Sequence, residues 1–453
     1  MTEPIRITHA TVITLGEPCR VLRDQTIHIE DGLIRSIAAP ASAQTPAATE
    51  RCAPGPAAAT VDASGKIVLP GFINAHTHCY STFARGLTKT KPASSFLPVL
   101  QNLWWRLDKA LTLKDCYYSA LVVLLEAIRH GATTLIDHHA SPHAISGSLD
   151  TIARAFAETG LRGCLCYEVS DRDGARATQA GLEENSAFIA ACRERNDPRL
   201  RALFGLHASF TLSDVTLKTA SKLGNELGVG FHIHAAEAVA DQEYTLKHCG
   251  VRVVERLQEH GLLTPGSIAA HGVHLDEKEM DILAASGAAV VHNPQSNLNN
   301  AVGIADLVAL HQKGVLVGLG TDAMTARMLE EVRAAVWCQH LRQRNPSAGF
   351  AEAASTLLIN NAKIAQRLFG PGLGEITAGA PADLILVDYE PPTPLSEENW
   401  MGQIIYGLSQ AAVDTTIVAG RVLMQDKKLL LDLDEAAIYH RSRELAAALW
   451  KRM

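Results

Sequence analysis

The chain has 453 residues, 47% hydrophobic and 20% charged, with 41 Lys plus Arg, 48 Asp plus Glu and a net charge of −7. That length exceeds one small domain and accommodates a barrel of about 250–300 residues with a smaller companion. The composition excludes a disordered chain, and the acidic balance excludes partners that require a basic surface, so neither nucleic acid nor a membrane is expected.

Residues 1–14 alternate like a strand and lack the apolar centre of a secretory leader. Residues 5–15 and 26–37 alternate apolar with polar side chains around Asp31-Gly32, a hairpin signal. Residues 38–59, rich in Ala, Pro, Ser and Thr, read as a surface loop. From residue 67 to 369 one unit repeats: an apolar run ends in polar residues, and a helical pattern follows. The runs end near His78, His139, Arg172, Ser209, Glu237, His274, Asn297 and Asp322. Strands alternating with helices predict a parallel sheet, and eight of them predict the α/β class as a closed, TIM-like (β/α)8 barrel. No G-x-G-x-x-G follows the first run, which disfavours an open doubly wound sheet.

Residues 382–388 and 415–424 read as short strands, and 434–452 as an amphipathic helix. The β-rich ends, 1–66 and 374–453, are therefore expected to form one small β-sandwich domain, with the closing helix, beside a barrel at 67–373. Strands one and eight of a closed barrel are neighbours, so both termini leave it side by side. The longest apolar runs, such as 120–128 with Glu126 inside it, fall far short of the roughly 20 residues of a membrane span. Nine cysteines, an odd number without C-x-x-C spacing, read as reduced and mostly buried, which implies a cytoplasmic protein.

The nineteen histidines favour strand ends. In a barrel those ends share one face, where active sites lie. His76-Thr77-His78 is the most informative motif, because residues i and i+2 of a strand point to the same side. Two imidazoles there make half of a tetrahedral metal site. His232-Ile233-His234 repeats the pattern on run five, with Glu237 three residues beyond, and Asp322 ends run eight. His76, His78, His234 and Asp322 would complete a site with an open position for water. Only one of the strand-five pair need bind, with His232 packed behind it. Zinc suits these ligands best, although iron or manganese also fits.

The run Leu69-Pro70-Gly71-Phe72-Ile73-Asn74-Ala75-His76-Thr77-His78 resembles the first strand of the amidohydrolase superfamily. His234-Ala235-Ala236-Glu237, Ala270-His271 and Gly320-Thr321-Asp322 resemble its strands five, six and eight. With His292-Asn293-Pro294 through Asn297, the set resembles the deaminase and chlorohydrolase branch. Within it the SsnA-like aminohydrolases are most similar, on Asn102-Leu103-Trp104-Trp105-Arg106-Leu107-Asp108, Ile136-Asp137-His138-His139-Ala140-Ser141-Pro142 and Ser148-Leu149. The resemblance spans nearly the whole chain. It implies a metal-dependent hydrolase that releases ammonia from an N-heterocycle, purine-related, as a homo-oligomer (dimer or tetramer).

One metal ion rather than two is also expected from the residues, since run four offers neither Lys nor Glu as a bridge; Glu168 on run three is the alternative bridge. Asp322 would accept a proton and orient the attacking water, and Glu237 would carry protons to the ring and to the leaving ammonia. The superfamily match assigns His271, rather than His274, to stabilise charge on the attacking oxygen. His207, by resemblance, would contact substrate. Asn297 would hydrogen-bond a ring edge, Trp104 in the connection after strand one would stack on the heterocycle, and Arg85 would meet an anionic or carbonyl group. Hydrolysis of a cyclic amide or a C–Cl bond is the rival reading, which the presence of a proton carrier at Glu237 disfavours. A non-catalytic relative of the fold would lose metal ligands, and all four are present.

Overall fold

The computed structural model describes residues 3–39, 59–88 and 90–453. The loop expected at 38–59 falls almost wholly outside them, as does Cys52; the other eight cysteines form no disulfide. Barrel strands one to three are Phe72–Thr77, Ala132–His139 and Arg162–Tyr167; strands five to eight are Phe231–Ala235, Ile268–His271, Ala289–His292 and Val317–Leu319. Strand four is interrupted at Leu203: Leu200–Ala202 pairs with strand three, and Phe204–Ala208 pairs with strand five. Every neighbouring pair is parallel. Parallel bridges between Val169 and Leu206, and between Thr77 and Asp322, close the ring.

The strands are buried along nearly their whole length, which a parallel barrel wrapped in helices requires. The helix Leu113–Arg129 shows how the wrapping is specified. Thr112 and Asp115 exchange capping hydrogen bonds at its start, and Leu121, Leu124, Leu125 and Ile128 turn inward. The closing helix, Glu435–Arg452, packs on it through Ile438, Leu445 and Leu449. Trp450 Nε1 donates to Phe83 O at 2.7 Å, and Arg452 reaches Ala110 O and Asp115. The end of the chain thus pins the segment that follows strand one.

Both termini build one nine-stranded sheet. Its strand Leu384–Asp388 lies antiparallel between Lys66–Pro70 and Val413–Val418, and so joins the two ends of the chain. The sheet curls on itself, with Leu33 bridging to Pro381 and Ala382 N–H donating to Gly32 O at 2.8 Å. It encloses a core of its own, including Ile7, Val12, Ile27, Ile34, Val68, Leu384, Leu386 and Ile417.

One boundary differs from the sequence reading. The apolar run from residue 67 to 78 is two strands, Lys66–Pro70 in the terminal sheet and Phe72–Thr77 in the barrel. The chain changes sheets at Gly71, where a Cβ would lie 2.1 Å from Thr133 Cγ2. Both halves are buried, so hydrophobicity alone did not mark the break.

Arg162 and Asp383 tie barrel to terminal sheet. Their side chains, 7% and 1% exposed, form two hydrogen bonds of 2.6 and 3.0 Å. Asp383→Ala would leave the guanidinium buried and unpaired, and should cost about 3–5 kcal/mol. Urea unfolding measures this, and a loss below about 1 kcal/mol, the scale of a surface pair, would refute it.

Candidate metal centre and active site

The C-terminal ends of the barrel strands open on a cavity of about 60 Å³. His78 Nε2 lies 3.0 Å from Asp322 Oδ1 and 3.2 Å from His234 Nε2, and His76 Nε2 lies 3.7 Å from the same carboxylate oxygen. The far nitrogens are engaged elsewhere: His78 Nδ1 with His138 O at 2.5 Å, His234 Nδ1 with His207 O at 2.9 Å, and His76 Nδ1 with His232 Nε2 at 2.8 Å. Such outer contacts fix each ring and turn its Nε2 toward the centre. His76 Nε2 is buried with no protein partner.

Two overlapping groups, His76/His78/His138/His234 and His76/His234/His271/Asp322, each bring their ligating atoms within 4.8 Å of one another. Converging imidazoles, a carboxylate and an orphaned buried nitrogen fit a divalent cation. Burial lowers His76 to about 4 and His234 well below its ordinary value, so both are neutral and able to ligate. Burial also disfavours charge on His78, but the hydrogen bond to Asp322 and the negative charges of Asp322, Glu168 and Asp137 together outweigh it and raise this group to about 9. A cation at the centre takes the place of that proton.

His271 Nε2 is 3.7 Å from Glu237 Oε2 and 3.9 Å from Asp322 Oδ2. Burial raises the Glu237 carboxyl above the usual range. Burial would raise Asp322 too, but His76 and His78 beside it hold it well below. The two carboxyl groups of one site are thus pushed apart, one toward the acid and one toward the anion.

The backbone is strained where it delivers these side chains. Ala236, His271 and Asp322 have φ of +53°, +78° and +50°, a region that costs non-glycine residues about 1–3 kcal/mol. Ala236 N–H donates to Asp241 Oδ2 at 3.0 Å, and the Thr321 and Asp322 amides donate to His76 O at 2.9 and 3.0 Å. At Gly320 a Cβ would sit 2.7 Å from His76 O, so strand eight can press against strand one only with glycine there.

Of the expected substrate residues, His207 and Trp104 line the cavity, together with Trp105, Phe96, Leu100 and Phe210. Two expectations are corrected. Arg85 is not brought to the cavity: its exposed guanidinium binds both oxygens of Glu126 at 2.6 and 2.7 Å. Asn297 is buried behind His271, and its Oδ1 meets His271 Nδ1 at 2.8 Å, so it orients that ring instead of facing a substrate. His274 turns away to Val302 O and His139 to Ser141. Glu168 faces the cavity near His138 and His207, and is absent from both ligand groups. Arg172 pairs with Asp108 and Asp173.

Several contributors escaped sequence reading. Ser296 Oγ donates to Asp322 Oδ2, Asn300 Nδ2 donates to Glu237 Oε1 at 3.3 Å, and Asp108, Arg172 and Asp241 line the wall. Ser296 and Asn300 lie one helical turn apart just after strand seven, a spacing that offered a signal.

The chain belongs to the amidohydrolase family, whose model matches residues 67–423. It is 32% identical over 453 residues to the 5-methylthioadenosine/S-adenosylhomocysteine deaminase of Pelotomaculum thermopropionicum, covering 99% of each chain. It is 34% identical over 390 residues to the 5'-deoxyadenosine deaminase of Methanobrevibacter smithii, covering 85% of this chain and 87% of the relative. Among solved structures, an adenosine deaminase from Xanthomonas campestris with bound zinc aligns with a TM-score of 0.84 at 25% identity, covering 99% and 98% of the two chains. Among the described residues no helix is long and apolar enough to cross a membrane.

Proposed function

We propose that the protein is a zinc-dependent deaminase that removes an amino group as ammonia from a purine-type N-heterocycle. His76, His78, His234 and Asp322 hold one ion. A divalent cation there acts as a Lewis acid and lowers the pKa of water from about 15.7 toward about 7. Asp322 orients the attacking water and takes its proton, held by the hydroxyl of Ser296. His271 turns Nε2 to the same spot, where it would stabilise the charge developing on the attacking oxygen. Glu237, its carboxyl raised toward the acid form by burial, delivers a proton to the ring nitrogen next to the reacting carbon. It then takes the proton left by Asp322 and passes it to the leaving ammonia, and the hydroxyl proton released as the carbonyl forms returns Glu237 to its protonated state.

His207 and the Trp104–Trp105 wall hold the ring. The assembly is a cytoplasmic homo-oligomer, a dimer or tetramer, and exposed Trp337 and Leu341 on one helix supply apolar surface for it. The observation that carries this reading is the meeting of Glu237, His271 and Asp322 beside three converging imidazoles. Adenosine derivatives, on which the relatives are named, make a natural first panel. The test is ammonia release by the zinc-loaded chain from aminated purines, their nucleosides, pterins and pyrimidines. Ammonia with the matching carbonyl product is expected, and a fully loaded chain that releases none from the whole panel would overturn the proposal.

A further inference from the structure

Glu168 takes no part in the proton transfers above, yet it is buried on the active-site cavity. It directly follows strand three, and its amide donates to His139 O at 2.7 Å, which fixes the backbone. The side chain is 4% exposed. Its oxygens lie 3.5 Å from His138 Nδ1 and 3.5 Å from His207 Nε2, longer than a well-formed hydrogen bond. Among the described residues nothing donates to it.

The two neighbouring imidazoles are acceptors at these atoms. His138 presents Nε2 to His232 O at 3.2 Å, so its proton is there and Nδ1 carries the lone pair. Thr211 Oγ1 donates to Ala208 O, so His207 Nδ1 donates to Thr211 Oγ1 at 2.6 Å and Nε2 is left as an acceptor. The nearby cation, Arg172, is already committed to Asp108 and Asp173 and lies over the Trp105 ring at 5.2 Å. Asp108 Oδ1 is itself buried without a partner. Beside Glu168 the wall therefore offers His138 Nδ1, His207 Nε2 and Asp108 Oδ1 as acceptors, with Trp105 Nε1 the unpartnered donor on the same cavity, and buried acceptors call for a donor from the ligand.

We propose that Glu168, with His207 Nε2 beside it, selects the substrate by accepting an N–H at the ring edge remote from the reacting carbon. The preferred substrate class is then an unsubstituted heterocyclic base, not its N-alkylated or ribosylated derivative. This rests on the deaminase reading and deepens it, because the relatives are named for ribosylated compounds. An N-methyl or N-ribosyl group at that edge removes the donor and sets carbon against a buried carboxylate. Sites built to hydrogen-bond a polar group reject analogues lacking it far more strongly than apolar pockets reject a methylene.

The test compares adenine with 9-methyladenine and adenosine, guanine with 9-methylguanine, and cytosine with 1-methylcytosine, on the zinc-loaded chain. Bases accepted by the enzyme should be favoured in kcat/KM by at least about 100-fold over their substituted partners. Glu168→Leu, close in volume, should abolish that preference by raising KM for the base, with metal content and melting temperature unchanged. Glu168→Gln, which keeps one acceptor oxygen, should fall between. Equal turnover of base and substituted partner, or an unchanged KM in Glu168→Leu, would overturn the proposal. Binding separates this outcome from failure of the deaminase reading. Calorimetric Kd values are measured on Glu237→Gln, which should hold ligand without turning it over. If no compound yields ammonia, tighter binding of the bases still upholds the role of Glu168, and equal or absent binding overturns it.

Discussion

Glu237→Gln should keep its zinc and lose about 10²–10⁴-fold in kcat, the range contributed by a positioned acid–base group. Gln has almost the same shape, and Asn300 can still reach its side-chain oxygen as it reaches Glu237 Oε1. None of the proposed metal ligands is altered. What disappears is a transferable proton, needed once at the ring nitrogen and again at the leaving ammonia, so the upper part of that range is expected. Metal content measured beside kcat decides the matter. Retention of more than about a third of kcat, far above an acid–base loss, would remove Glu237 from the proton path and make His271 the next residue to test.

His234→Ala should lose metal and activity together. The imidazole is held by His207 O on one side and faces His78 Nε2 on the other, so its removal deletes a ligand and the contact that aims it. Outer-shell substitutions alone cost about 10–100-fold in metal affinity, and loss of a direct ligand should exceed that. Circular dichroism should show the fold retained, because the barrel core does not depend on this side chain. A variant with zinc occupancy and kcat near those of the parent would exclude His234 as a ligand.

Much of the architecture is legible in the chain. Eight apolar runs ending in polar residues specify the barrel, since strands buried on both faces read as near-continuous apolar runs and their C-terminal ends gather the site's polar groups on one face. The i, i+2 spacing of His76 and His78 is by itself enough to fix their common direction. Other features depend on folding at long range. Arg85 reads as a free cation until the helix Leu113–Arg129 brings Glu126 against it. Asn297 reads as a loop residue, but the short helix Pro294–Asn299 begins directly after strand seven and carries it behind His271. Asp108 and Arg172 are 64 residues apart and meet because the connection after strand one folds over the barrel mouth. The switch of sheets at Gly71 is hidden by unbroken hydrophobicity on either side.

The most direct test of the metal-centred reading is a zinc titration of the metal-free chain, with ammonia release from an accepted base recorded at each step. The rate should rise in proportion to bound zinc and level off at one ion per chain, in keeping with three imidazoles and one carboxylate around a single open position. A rate independent of zinc, or one that saturates only at two ions per chain, would contradict it.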